Sequence, residues 1–124
     1  MLRVPLSLAR ASTPLTSLSS RRLLSTKPPK TLFLLNYKYV PDILTARAPF
    51  REGHLALAEQ MRKDGKLLYA GATGEVGEGP DSAMFVMTGR EFIDEFVASD
   101  PYVESGVCVE GQSIREWTVA VHDL

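Results

Sequence analysis

His54 and Asp100 are the one pair in this chain whose side chains could move a proton near neutral pH. Imidazole titrates in that range, and a carboxylate accepting from one ring nitrogen fixes the tautomer and raises the basicity of the other. Such a pair can take a proton from beside a carbonyl and return it elsewhere, the chemistry of an isomerase or an eliminating lyase. Arg51 lies three residues before His54 and Arg47 seven before it, spacings that put both on the histidine's side of a helix if it continues through Pro49. The two arginines could anchor a substrate carboxylate through bidentate hydrogen bonds, or pair with Glu52, Asp100 or Glu104. Tyr102, two residues past Asp100, could line the same pocket or simply pack as an aromatic.

Plainer readings stand beside these. A histidine between Phe50, Leu57 and Met61 can be a hydrogen-bonded core residue. Asp100 can cap the segment that Pro101 starts. It also falls at the C-terminal end of a helical stretch, where the helix dipole disfavours a carboxylate and a cationic partner would offset the placement. Cys108, between Val107 and Val109, reads as a buried small hydrophobe with no adjacent histidine or lysine to activate it. His122, two residues from the C-terminus, reads as exposed and idle. There is no CxxC pair or His/Cys cluster, so a metal would need carboxylates for most of its ligands, and no metal or organic cofactor is expected.

The elements that must position these groups follow from hydrophobic period. Thr31–Lys38 is a strand, apolar on both faces at its start and therefore central. Pro41-Asp42 can open a short turn of helix, and Pro49 re-starts or kinks the path. From Pro49 to Lys63, Phe50, His54, Leu57 and Met61 form a stripe at helical spacing, and Gly65 supplies the left-handed cap. Lys66–Ala72 and Ser82–Thr88 are strands joined by a glycine-rich hairpin over 74–81, which carries three acids and no base and lacks any phosphate-loop pattern. A second helix, Arg90–Ser99, turns Phe92, Ile93, Phe96 and Val97 inward and ends before Pro101. The last strand covers Ile114–Val121.

This βαββαβ order predicts an α+β fold of ferredoxin-like type, an antiparallel sheet with both helices on one face. The other face is left open. Leu32, Leu34, Tyr69, Phe85, Met87 and Trp117 offer more apolar strand surface than two short helices cover, which predicts sheet-to-sheet dimerisation into a barrel.

No acid precedes Asp42, whereas four of the fourteen basic residues fall within residues 1–26 among serines, threonines and leucines. That composition is expected of a mitochondrial transit peptide, with Arg22-Leu23-Leu24-Ser25 resembling a matrix-peptidase site and the folded domain spanning residues 27–124. Arg10, Ser12, Thr13 and Pro14 interrupt the continuous apolar core of a secretory signal, and no apolar run is long enough to span a bilayer. Without the leader the domain carries a net charge of −5 and no basic cluster, against nucleic acid or anionic lipid as its partner. A lone cysteine forms no intrachain disulfide, as suits a reducing compartment.

Arg47, Arg51 and His54-Leu55, the run Gly65-Lys66-Leu67-Leu68-Tyr69-Ala70-Gly71, and Asp100-Pro101-Tyr102 with Gly106-Val107 are similar, in order and spacing, to the YCII-related family of small dimeric α+β barrel proteins. The resemblance runs from Leu32 to about Val121 and implies a barrel dimer with an active site built on His54 and Asp100. It implies no particular reaction, although related barrels include isomerases, lyases and monooxygenases of small ring compounds. Two function classes follow. One is an enzyme with His54 as general acid/base, Asp100 as its orienter and Arg47, Arg51 and Tyr102 around a small carbonyl or phenolic acid. The other is a non-catalytic ligand-binding or scaffolding dimer on the same barrel.

Overall fold

In the computed structural model, which describes residues 27–124, the first strand, β1, spans Lys30–Tyr39 and alternates in facing. Leu35, Tyr37 and Tyr39 point to the helical side, and Leu32 and Leu34 to the other. Helix α1 covers Ile43–Ala46, a 3₁₀ turn holds Ala48–Phe50, and α2 runs over Arg51–Lys63. Pro49 sits within the 3₁₀ turn, so Arg47 belongs to the junction before α2 and the helix is not continuous through it. On α2, His54, Ala58 and Met61 are buried, with Phe50 and Leu57 packed partly against the core. Gly65, at φ +76°, closes the helix as its cap.

Strand β2 covers Leu67–Thr73 and β3 Ser82–Met87, joined by the glycine-rich hairpin. Pairing shifts between Leu67 and Tyr69, so Tyr69 stands opposite Val86 while Ala70 and Ala72 stand opposite Phe85 and Ala83. Small residues are thereby set on the helical face of β2. Helix α3, Arg90–Ser99, gives way directly to the single turn α4, Pro101–Glu104, and β4 spans Val109–Val119. The last strand thus begins five residues before Ile114 and stops short of Val121. Its polar first half, Glu110-Gly111-Gln112-Ser113, has no apolar alternation to betray a strand, because β4 lies at the sheet edge.

The four strands make an antiparallel sheet in the order β2-β3-β1-β4, with β1 internal, and this sheet is open rather than closed on itself. Helices α2 and α3 pack on one face over Leu35, Tyr37, Phe85 and Met87. Phe85 and Met87 therefore belong to the helix-covered core and not to the open face, since odd positions of β3 share the facing of odd positions of β1 across their register. On the open face Leu32, Val86 and Val119 form a second small cluster, while Tyr69 and Trp117 stay 70% and 44% exposed.

Thr31–Val119 make one compact unit. Among the described residues flanking it, His122 is half-buried rather than idle: its Nε2 donates to the Pro28 carbonyl (2.9 Å) and its Nδ1 accepts from the Leu124 N–H (3.1 Å). The transit peptide expected over residues 1–26 lies outside the described residues. Among the described residues, no helix is long and apolar enough to cross a membrane.

Candidate active site

Proline geometry puts Asp100 where it is. The residue before a proline is driven out of helical angles, and Asp100 adopts φ −74°, ψ 119°, which ends α3 and makes it the N-cap of α4 with Pro101 at the first helical position. Its side chain accepts from the Tyr102 N–H at 3.0 Å, as a cap should. The same oxygen, Oδ1, accepts from Nδ1 of His54 at 2.8 Å. The other, Oδ2, accepts from the Tyr37 hydroxyl of β1 at 2.7 Å. Asp100 is 0% exposed, and a carboxylate so placed must have its oxygens engaged to be tolerated.

His54 reaches it because α2 comes close to α4: a Cβ on Gly53 would stand 3.2 Å from Cγ of Pro101. The imidazole is 5% exposed and lies flat on the Tyr102 ring, with centroids 3.8 Å apart and planes within 1°, and Phe85 and Phe96 meet it edge-on. With Asp100 accepting, the neutral imidazole is the tautomer with its proton on Nδ1 and its lone pair on Nε2. Nε2 makes no hydrogen bond among the described residues.

His54 also lines a cavity of about 170 Å³ between α2 and strands β2 and β3. Ala70, Gly71 and Ala72 make room for it, and Tyr39, Arg47 and Arg51 complete its polar wall. Arg51 donates to the Tyr102 hydroxyl at 3.2 Å. Neither arginine pairs with a carboxylate among the described residues, so the expected alternative of pairing with Glu52, Asp100 or Glu104 is not found. Tyr102 does not line the cavity. It is fully buried behind the imidazole, where it backs His54 and holds Arg51.

Two tyrosines of β1 complete the site. Burial and the Asp100 carboxylate push the Tyr37 phenol far above its ordinary range, so it serves the pair as a fixed donor. Burial and then Tyr102 push Tyr39 up to about 12 against the opposing pull of Arg47 and Arg51. Sequence reasoning missed both, although a signal existed: they share the facing of Leu35 on a central strand, and a buried tyrosine hydroxyl calls for a partner. Cys108 is buried as expected, and that burial raises its thiol pKa. A wider concavity of about 820 Å³, whose lining includes Asn36, Tyr37, Lys38, Tyr39, Ser82 and Glu110, contains neither His54 nor Asp100. Among the described residues no cluster of three metal-ligating side chains occurs.

Comparison with known proteins gives three findings. A family model described as the YCII-related domain matches residues 31–118. An uncharacterised protein of Haemophilus influenzae is 37% identical, over 55% of this chain and 78% of its own. The solved structure of a 5-chloro-2-hydroxyhydroquinone dehydrochlorinase from Burkholderia phenoliruptrix, in complex with 2,5-dihydroxybenzoquinone, superposes with a TM-score of 0.59 at 24% identity, covering 70% of this chain and 93% of that one. At that identity the likeness is one of fold.

Proposed function

This chain belongs to the YCII-related domain family, and on that footing we propose that it is a small-molecule enzyme in which His54 transfers protons under the control of Asp100. One observation carries the reading: Asp100 holds Nδ1 of a buried imidazole whose Nε2 has no protein partner among the described residues, beside a cavity of one-ring size. In the proposed reaction Nε2 takes a proton from a carbon next to a carbonyl, and the C–H electron pair moves onto the carbonyl oxygen. The imidazolium, stabilised by Asp100, then returns that proton to another carbon, or the electron pair expels a leaving group from the neighbouring position. Neither route consumes an oxidant or a reductant. Arg47 and Arg51 would attract and orient an anionic substrate, and Tyr102 would keep the imidazole plane fixed.

The dehydrochlorinase of the same fold holds a single ring bearing oxygen substituents, which supports a compact cyclic or carbonyl substrate here. The test is proton exchange: small carbonyl acids and hydroxyquinones incubated in D₂O with the protein and followed by proton NMR. Wild type is expected to wash out a C–H signal in at least one of them, and His54→Gln to slow this by about 10²- to 10⁴-fold. Equal rates in both proteins would refute the reading and leave the non-catalytic dimer.

We also propose that a second copy covers the open sheet face over Leu32, Leu34, Val86, Val119, Tyr69 and Trp117, closing the barrel. Residues 1–26 are proposed to direct the protein to the mitochondrial matrix, to be tested by importing the full chain into isolated mitochondria and sequencing the product's N-terminus.

A further inference from the structure

Tyr39 closes β1 and lines the cavity together with His54, Arg47 and Arg51. It is 5% exposed, yet its hydroxyl makes no hydrogen bond among the described residues. Its neighbours behave differently: the Tyr37 hydroxyl donates to Asp100, and the Tyr102 hydroxyl accepts from Arg51. A buried hydroxyl without a partner is unusual and calls for an explanation. With its ionisation pushed up to about 12, this one remains a donor at neutral pH. The guanidinium groups of Arg47 and Arg51 both bear on it, and neither has a carboxylate to neutralise it among the described residues. Three donor side chains thus meet at one cavity with no acidic side chain in its lining.

We propose that Tyr39, Arg47 and Arg51 form an oxyanion site for a single-ring phenolate or enolate, with the Tyr39 hydroxyl donating to the charged oxygen. The proposal rests on the reading of this cavity as the substrate site and names what the substrate must present. Proton abstraction by His54 leaves the C–H pair on an oxygen, and that oxygen needs donors already in position. Size restricts the rest: a cavity of roughly 150 Å³ accepts a benzene ring, and this one, at about 170 Å³, admits one ring with small substituents and not two.

The full chain, its Tyr39→Phe and its His54→Gln variants are titrated with 4-nitrophenol, whose colour separates phenolate from phenol. Wild type is expected to bind the phenolate in preference to the phenol, and Tyr39→Phe to lose about tenfold or more of the phenolate affinity. Because Tyr39→Phe removes an unpaired buried hydroxyl and keeps the ring, its unfolding temperature should equal or exceed that of wild type. A merely packing tyrosine would give the opposite pattern, a lower unfolding temperature with phenolate affinity intact. Phenolate affinity within twofold of wild type in Tyr39→Phe, or no preference for the anion in wild type, would overturn the proposal. His54→Gln is expected to keep the preference, so a failed proton-exchange test with the preference intact would sink the catalytic reading and spare the oxyanion site.

Discussion

Replacing Asp100 in two ways separates what its charge does from what its shape does. The carboxylate receives three donors, Nδ1 of His54, the Tyr102 N–H and the Tyr37 hydroxyl, in a place that is 0% exposed. Asp100→Ala orphans all three, at about 1–3 kcal/mol each, partly offset because a carboxylate no longer has to be buried. A net loss of about 3 kcal/mol or more is expected, a large share of the roughly 5–15 kcal/mol that holds a domain together. Asp100→Asn keeps the network: its oxygen can still accept from His54 and Tyr102, and its NH₂ faces a hydroxyl that can rotate to accept. Only charge assistance is lost, so about 1 kcal/mol is expected. At about 4–8 °C per kcal/mol for a domain of this size, Asp100→Ala should melt roughly 12–24 °C below wild type and Asp100→Asn within about 8 °C. Urea and thermal unfolding followed by circular dichroism give both numbers, and nitrogen NMR of the imidazole reports whether Nδ1 still carries the proton. Proton exchange should nevertheless fall by about 10²-fold or more in Asp100→Asn, since a neutral amide does not stabilise the imidazolium. Equal destabilisation by the two variants, or a loss under about 1 kcal/mol in Asp100→Ala, would refute the idea that this carboxylate centres the network.

Three further outcomes are expected. Tyr37→Phe strips one donor from a buried carboxylate, so it should cost about 1.5–3 kcal/mol in urea unfolding while leaving the size of the cavity unchanged, as Tyr37 does not line it. Tyr39 ionises at about 12 in the folded protein against about 10 when unfolded, because burial penalises its ionised form, so this group leaves stability unaffected below pH 10 and lowers it as pH rises from 10 through 12. Tyrosinate absorbance should therefore rise late, together with loss of circular dichroism, and a Tyr39→Phe variant should lack one late-ionising group. Trp117→Glu puts a charge on the open sheet face at a position already 44% exposed, so the chain should fold and run as a monomer in light scattering, against the dimer expected of wild type.

The architecture was legible because its signals are local and repeated. The α2 stripe, the Gly65 cap, the Asp100-Pro101 break and both ends of α3 each follow from residue type within one or two turns. What escaped depends on pairing across the sheet. The polar half of β4 is a strand because β1 hydrogen-bonds it, not because its side chains are buried. The facing of Phe85 and Met87 is fixed by register with β1, which their own alternation leaves free to point either way. In the site, His54 and Asp100 were readable as a pair. Of the two roles open to Tyr102 in the sequence, pocket residue and packing aromatic, the structure shows the second, and its stacking on an imidazole from another helix leaves no mark in local sequence. Tyr37 lies inside the strand expected over Thr31–Lys38 and Tyr39 one residue beyond it, and a central strand with two buried tyrosines raises the question of what their hydroxyls bond.

Capping and orienting, weighed against each other as roles for Asp100, are not alternatives. One oxygen does both: Oδ1 takes the Tyr102 N–H that starts α4 and the Nδ1 of His54. The cap fixes the carboxylate, and the stack of His54 on Tyr102, the residue whose N–H is capped, fixes the imidazole relative to the same turn. Positioning of the pair is therefore a by-product of ending one helix and starting another, which requires little beyond the dipeptide Asp100-Pro101 and a close approach at Gly53. It follows that a substitution which removes the acceptor oxygens of Asp100 perturbs fold and chemistry together, whereas Asp100→Asn keeps them and reads the charge. Tyr39 escapes this coupling. Its hydroxyl supports no protein group among the described residues, so a change confined to that one oxygen reads the cavity and not the scaffold.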